Sequence, residues 1–148
     1  MKMITGLIVG LMGLSQVSLA DHASLQRLAR EMGLAGTNLY TNARPVLGPR
    51  PTYRQRYAFE HISFFHNSAH RFERVVGARL DMQDDHASDI RYAFRQLESD
   101  LYHARQTFLD LFYGERTDMT DDHPSLGNLE RYLQYAESLI PQIQYNLP

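Results

Sequence analysis

His86-ASDIRYAFRQLESDLYHARQTFLDL-Phe112 is the stretch on which the fold turns. Ile90, Ala93, Phe94, Leu97, Leu101, Ala104, Phe108, Leu111 and Phe112 recur at steps of three and four. That spacing is one face of a helix, sustained for about three heptads. Arg91, Arg95, Glu98, Asp100, His103, Arg105 and Asp110 fall between them and project elsewhere. No Gly or Pro interrupts the run. Asp84, Asp85 and Asp89 crowd its start, where carboxylates suit the positive end of the helix dipole. Gly114 follows its end and suits a left-handed stop. A rod of this length is roughly 40 Å long. Its apolar seam requires partners of similar length, and three other segments supply them.

Upstream, Thr52-x-x-Gln55 forms a capping box just after Pro51. It opens a helix over 52–81 with Ala58, Ile62, Phe65, Ala69, Phe72, Val76 and Leu80 on its seam. Tyr57, His61, Phe64, Ser68 and Val75 widen that stripe, so this helix is expected to be deeply buried. The link Met82 to Asp85 is short enough to return the next helix antiparallel. Further upstream, Leu25, Leu28, Met32, Ala35, Leu39 and Ala43 mark a helix over 21–42. Gly33 and Gly36 weaken it by about 1 kcal/mol each relative to Ala, or else admit a close neighbour. Arg44 to Pro51 carries three prolines and a glycine and reads as a connector. Downstream, Gly114 to His123 reads as a polar, acidic loop with Glu115, Asp118, Asp121 and Asp122. Pro124 suits the first position of a last helix over 124–145, with Leu126, Leu129, Leu133, Ala136, Ile140 and Ile143 as its stripe. Pro141 is expected to kink or end that helix near Leu139. Four amphipathic segments with one narrow seam each predict an all-α fold, an antiparallel up-down-up-down four-helix bundle.

The bundle is expected to follow an N-terminal signal peptide over residues 1–20. Lys2 is a basic start, Ile4 to Leu14 is apolar, and Ser18-Leu19-Ala20 places small residues where a signal peptidase reads. Cleavage before Asp21 leaves a single domain over 21–148, exported to the periplasm or secreted, with no stable membrane insertion. The chain has no cysteine, which excludes disulfides, thiolate metal sites and covalently attached haem. Lys2 is the only lysine, so 14 of the 15 basic residues are Arg, and they face 17 acidic ones. Without Lys2 the formal charge is −3. This near balance predicts no nucleic-acid partner, since those show a strongly basic face.

Two clusters are candidates for contact with other molecules. Asp21, His22, Asp85, His86 and Asp89 gather at one end of the expected bundle. Imidazole and carboxylate groups together suit Cu(II), Zn(II) or Ni(II); no cofactor is expected beyond such a possible divalent transition metal. The bland alternative is ordinary helix capping by the aspartates. Arg44, Arg50, Arg54 and Arg56 lie on and beside the proline-stiffened connector at the other end. Their guanidinium groups suit phosphate or carboxylate groups of a partner. Neutralisation by Asp118, Asp121 and Asp122 is the competing expectation. His66 and His70 stand one turn apart, with His70 pointing away from the seam. His61 reads as a hydrogen-bonded residue at the core edge, and His103 as exposed. Neither Glu-x-x-His nor a Gly-x-Ser-x-Gly turn is present, so no di-iron centre and no catalytic set is expected. The sequence therefore points to a non-enzymatic exported bundle that binds a partner protein or an envelope component. The alternative is a periplasmic metal-binding protein that uses the Asp/His end.

Overall fold

The structure is a computed structural model that describes residues 15–47, 49–78, 85–114 and 124–148. They form four helices: α1 (Ser15–Val46), α2 (Tyr53–Gly77), α3 (Asp85–Gly114) and α4 (Pro124–Tyr145). Among the described residues there is no strand. No described helix is long and apolar enough to cross a membrane. The apolar start at Ile4 to Leu14, residues 82–84 of the expected link and residues 115–123 of the expected acidic loop lie outside the described residues, while Asp85 and Gly114 belong to α3.

The periodic stripes become the core. Leu25, Leu28, Met32 and Leu39 of α1, Phe65 and Phe72 of α2, Leu97 of α3 and Leu133 of α4 are among its enclosed side chains. All belong to one continuous cluster that takes a face from every helix. Burying one such side chain contributes roughly 1.5–3 kcal/mol. Shared burial across the cluster therefore outweighs the weak propensity of any single helix. Phe72 and Phe94 join α2 to α3 in this core, with ring centroids 5.9 Å apart.

The cross-helix contacts run in a consistent order. Gly36 of α1 lies against Ala69, and Tyr40 lies against Phe59, so the α2 number falls as the α1 number rises. Phe72 meets Phe94, and His61 meets His103. Arg105 meets Glu137, and Arg91 reaches the Pro148 carbonyl. Contact is extensive between α1 and α2, between α2 and α3, and between α1 and α4, but slight between α3 and α4.

The capping box at the start of α2 is formed as the sequence predicts. The Gln55 N–H donates to Thr52 Oγ1, and the Thr52 N–H donates to the Gln55 side chain at 2.8 Å. Three expectations need correction. First, α1 spans Ser15–Val46 rather than 21–42, and it carries Pro45 in its last turn. Second, α4 runs Pro124–Tyr145, the span expected for it, so Pro141 sits inside the helix and does not end it near Leu139. Both prolines face solvent, where water can satisfy the carbonyl that each leaves without an N–H. Third, α2 is not covered on every side. Tyr57 and Phe64, expected to widen its seam, are 46% and 47% exposed. The helix lies between α1 and α3, and the flank outside that contact faces water.

Candidate functional site

That open flank carries an array of rings. Tyr53, Tyr57, His61 and Phe64 follow one another along α2 at steps of four, four and three. This spacing keeps them on one edge of a helix. The Tyr53 and Tyr57 rings stack with centroids 6.2 Å apart. Tyr57 meets His61 edge-on at 4.6 Å, and His61 meets Phe64 edge-on at 5.8 Å. Two rings of α3 extend the array: His103 stacks on His61 at 5.7 Å, and Tyr102 touches His103 edge-on at 5.6 Å. Further along the same helix pair, the Arg71 guanidinium sits over the Tyr92 ring at 5.6 Å. Edge-to-face and offset ring pairs of this kind add about 0.5–1.5 kcal/mol beyond area burial and hold the rings as a preformed surface.

The array begins at the arginine-rich end. Arg44 closes α1, Arg50 precedes α2, and Arg54 and Arg56 lie in the first turn of α2 beside Tyr53 and Tyr57. All four are exposed, and none pairs with a carboxylate among the described residues. The carboxylates proposed to neutralise them, Asp118, Asp121 and Asp122, lie outside the described residues.

A second polar constellation crosses from α1 to α2. His70 Nε2 meets Thr37 Oγ1 at 2.9 Å, and His70 Nδ1 meets Glu73 Oε2 at 3.2 Å. Thr37 Oγ1 also lies 3.0 Å from the Gly33 carbonyl. With Nδ1–H directed at the carboxylate, Nε2 accepts the Thr37 hydroxyl hydrogen. With both ring nitrogens protonated, Nε2–H donates to Thr37, whose hydrogen turns to Gly33. The glycines make this approach feasible: a Cβ on Gly33 would collide with the Glu73 carboxylate, and one on Gly36 would stand 3.3 Å from the His66 Cα. His66 stacks on Tyr40 at 4.9 Å and meets His70 edge-on at 4.7 Å. Burial, and then the neighbouring His70, hold the His66 imidazole below the ordinary histidine range, against an opposing hydrogen bond with the Gly36 backbone. His70 was expected to point away from the seam; it reaches α1 instead. The signals were in the sequence as small residues at Gly33 and Gly36 and as the spacing His70-x-x-Glu73.

The Asp/His end is less organised. His22 Nε2 lies 3.0 Å from the Gln26 side-chain nitrogen on the next turn of α1. His86 is half-buried, and its Nε2 is enclosed without a hydrogen-bond partner among the described residues. Asp89 is exposed, and the side chains of Asp21 and Asp85 lie outside the described residues. Among the described residues, no group of three or more His, Asp or Glu side chains is placed to hold a metal ion. The geometry therefore does not assemble His22, His86 and Asp89 into one site. A shallow cleft of about 390 Å³ opens between Ser24, Arg27 and Leu28 of α1 and Pro141, Gln142 and Tyr145 of α4. Its one charged group, Arg27, is already bonded to Glu31 at 3.0 Å. Compared with known proteins, the chain matches no protein-family model, no curated protein and no solved structure.

Proposed function

We propose that this chain is an exported up-down-up-down four-helix bundle that acts without catalysis, by binding a partner protein. The contact surface is the ring array of α2 and α3 with the arginine cluster at its head. One observation carries the reading: Tyr53, Tyr57, His61, Phe64, His103 and Tyr102 form an unbroken chain of ring contacts at the surface. Exposed aromatic rings and arginines are the side chains over-represented at protein interfaces and at their energetic centres. Rings already held by one another lose little side-chain freedom on docking. The adjacent Arg50, Arg54 and Arg56 favour a partner that presents carboxylates beside an apolar patch.

The Glu73–His70–Thr37 series has the connectivity of a hydrolytic relay, yet it supports a structural role. The backbone N–H groups around Thr37 lie within α1 and are committed to helix bonds, which leaves no donors for an oxyanion. The order of contacts between helices supports the up-down arrangement, and the sequence of residues 1–20 supports export.

A photo-crosslinking side chain at position 57 or 64, introduced in the native host, tests the reading. The expected result is one discrete adduct, lost when Tyr53→Ser and Arg54→Ser are combined. The same probe at exposed Leu34 on α1 should give none. Equal labelling at all three positions, or no adduct at 57 and 64, would overturn the proposal.

A further inference from the structure

We infer that His61 and His103 form a two-imidazole site for a divalent transition-metal ion that joins α2 to α3. The two rings come from different helices, with centroids 5.7 Å apart and planes 24° from parallel. A metal–nitrogen bond of about 2.1 Å places each ring centre roughly 3.2 Å from the ion. Two rings on one ion can then lie up to roughly 6.4 Å apart, so the observed separation lies within reach of a shared ion once the two side chains leave their stacked contact and turn their nitrogen edges to it.

The second observation is how His103 is held. Its Nδ1 lies 2.7 Å from the Ser99 carbonyl one turn earlier, to which it must donate. This bond fixes the tautomer and leaves Nε2 with a lone pair. Metal-binding histidines are oriented in this manner, by a carbonyl or carboxylate on the far nitrogen. His61 makes no hydrogen bond among the described residues, and its ring contacts are with Tyr57, Phe64 and His103. Its nitrogens are uncommitted. The nearby Asp100 carboxylate is engaged by the Gln96 side chain at 3.1 Å, so water fills the remaining coordination positions. Neutral imidazoles in an otherwise aqueous site suit Cu(II), Ni(II) and Zn(II), with Cu(II) held most tightly.

The other close histidine pair does not offer this chemistry. Both ring nitrogens of His70 are occupied, by Thr37 and Glu73, and the His66 Nδ1 is enclosed. The site goes beyond the partner-binding proposal and does not depend on it.

The test is a Cu(II) titration of the whole chain, followed by calorimetry and electron paramagnetic resonance. It is run in a His22→Ala background, because a processed amino terminus beginning Asp21-His22 would chelate copper by itself. The expected result is one ion per chain with two imidazole nitrogens in its spectrum. Affinity should fall at least tenfold in His61→Ala and in His103→Gln, and stay within twofold in His70→Ala. Zn(II) should raise the melting temperature of the parent chain but not of His103→Gln, provided both have the same helical circular dichroism. Acidification should weaken binding, since protons compete for the ring nitrogens. Binding that persists unchanged in both His61→Ala and His103→Gln, or no binding by the parent chain, overturns the inference.

Discussion

The seam between α1 and α2 and the seam between α3 and α4 are built on opposite plans. At the first, Gly33 and Gly36 bring two backbones close, and Ala69 fills the space opposite. Polar groups then cross at hydrogen-bonding distance, as Thr37 and His70 do. At the second, contact is slight, and the crossings described are the ion pair of Arg105 with Glu137 at 3.0 Å and the hydrogen bond from Arg91 to the Pro148 carbonyl just past α4 at 2.8 Å. Small residues let dispersion act over a long strip, while long charged side chains bridge a gap without closing it. The difference teaches that the stability of this bundle is concentrated on one side, and each prediction below probes that asymmetry.

The largest effect is expected at Gly36. A Cβ there would already stand 3.2 Å from the Ala69 Cβ and 3.3 Å from the His66 Cα, closer than ordinary contact. Gly36→Leu should therefore lower stability by about 2–3 kcal/mol, the upper part of the usual range for overpacking. Gly127 of α4 is the control, because a Cβ there meets nothing within 4 Å. Gly127→Ala should be neutral or should gain up to ~1 kcal/mol from helix propensity. Urea unfolding of both variants checks this. Equal losses at the two glycines would mean that the α1/α2 seam holds no tighter packing than the rest.

The next effect is smaller and depends on pH. His66 lies at the tight seam, with its folded pKa held down by burial first and by His70 second. A lowered folded value means that the unfolded chain binds the proton more readily. The stabilisation is thus present above the ordinary histidine value of about 6.5 and is lost as pH falls through the folded value. His66→Phe keeps a ring against Tyr40 and removes the titration. Between pH 7 and pH 5 its stability should fall less steeply than that of the parent, by about 1 kcal/mol or less. Parallel slopes in the two proteins would show that acid acts elsewhere.

How much of this was legible beforehand follows from the physics of each feature. The core stripes could be read because a helix repeats every 3.6 residues and burial selects for that period; Leu25 to Ala43 and Ile90 to Phe108 illustrate it. The capping box was equally local and equally readable. Tyr57 and Phe64 were misjudged because a stripe's width reports apolarity, not whether a neighbour covers its edge. The same rings at steps of four and three could have been read as a surface ladder. His70 was misjudged because a helical wheel measures angle from the core and does not know that glycines on the next helix bring it within reach. Pro45 and Pro141 failed as stop signals because a proline facing water costs the helix less than one inside the bundle. Arg44, Arg50, Arg54 and Arg56 stand exposed, but which groups pair with them belongs to tertiary structure that no local pattern encodes.

The smallest effect is expected at the loose seam. Burial raises the Glu137 carboxyl above the usual range, and the Arg105 charge only partly opposes this. A raised folded value means that the contribution of this group is present below the unfolded pKa and is lost as pH rises through the folded one. At neutral pH Glu137 therefore weighs against the fold, and Arg105 limits that cost. Arg105 is itself imperfectly placed, since its Nη1 is enclosed with no hydrogen-bond partner among the described residues. The pair is also partly open to water, at 26% and 39% side-chain exposure, which screens its attraction. Replacing one member leaves the other in a poor environment; replacing both removes the two problems together. Arg105→Met with Glu137→Leu should thus match the parent within about 1 kcal/mol at pH 7, with each single change the worse choice. A double-mutant cycle reads the coupling, expected at about 0.2–1 kcal/mol. A coupling near 3 kcal/mol would place this seam level with the glycine seam and remove the asymmetry, because a bridge of that strength would hold α3 to α4 as firmly as close packing holds α1 to α2.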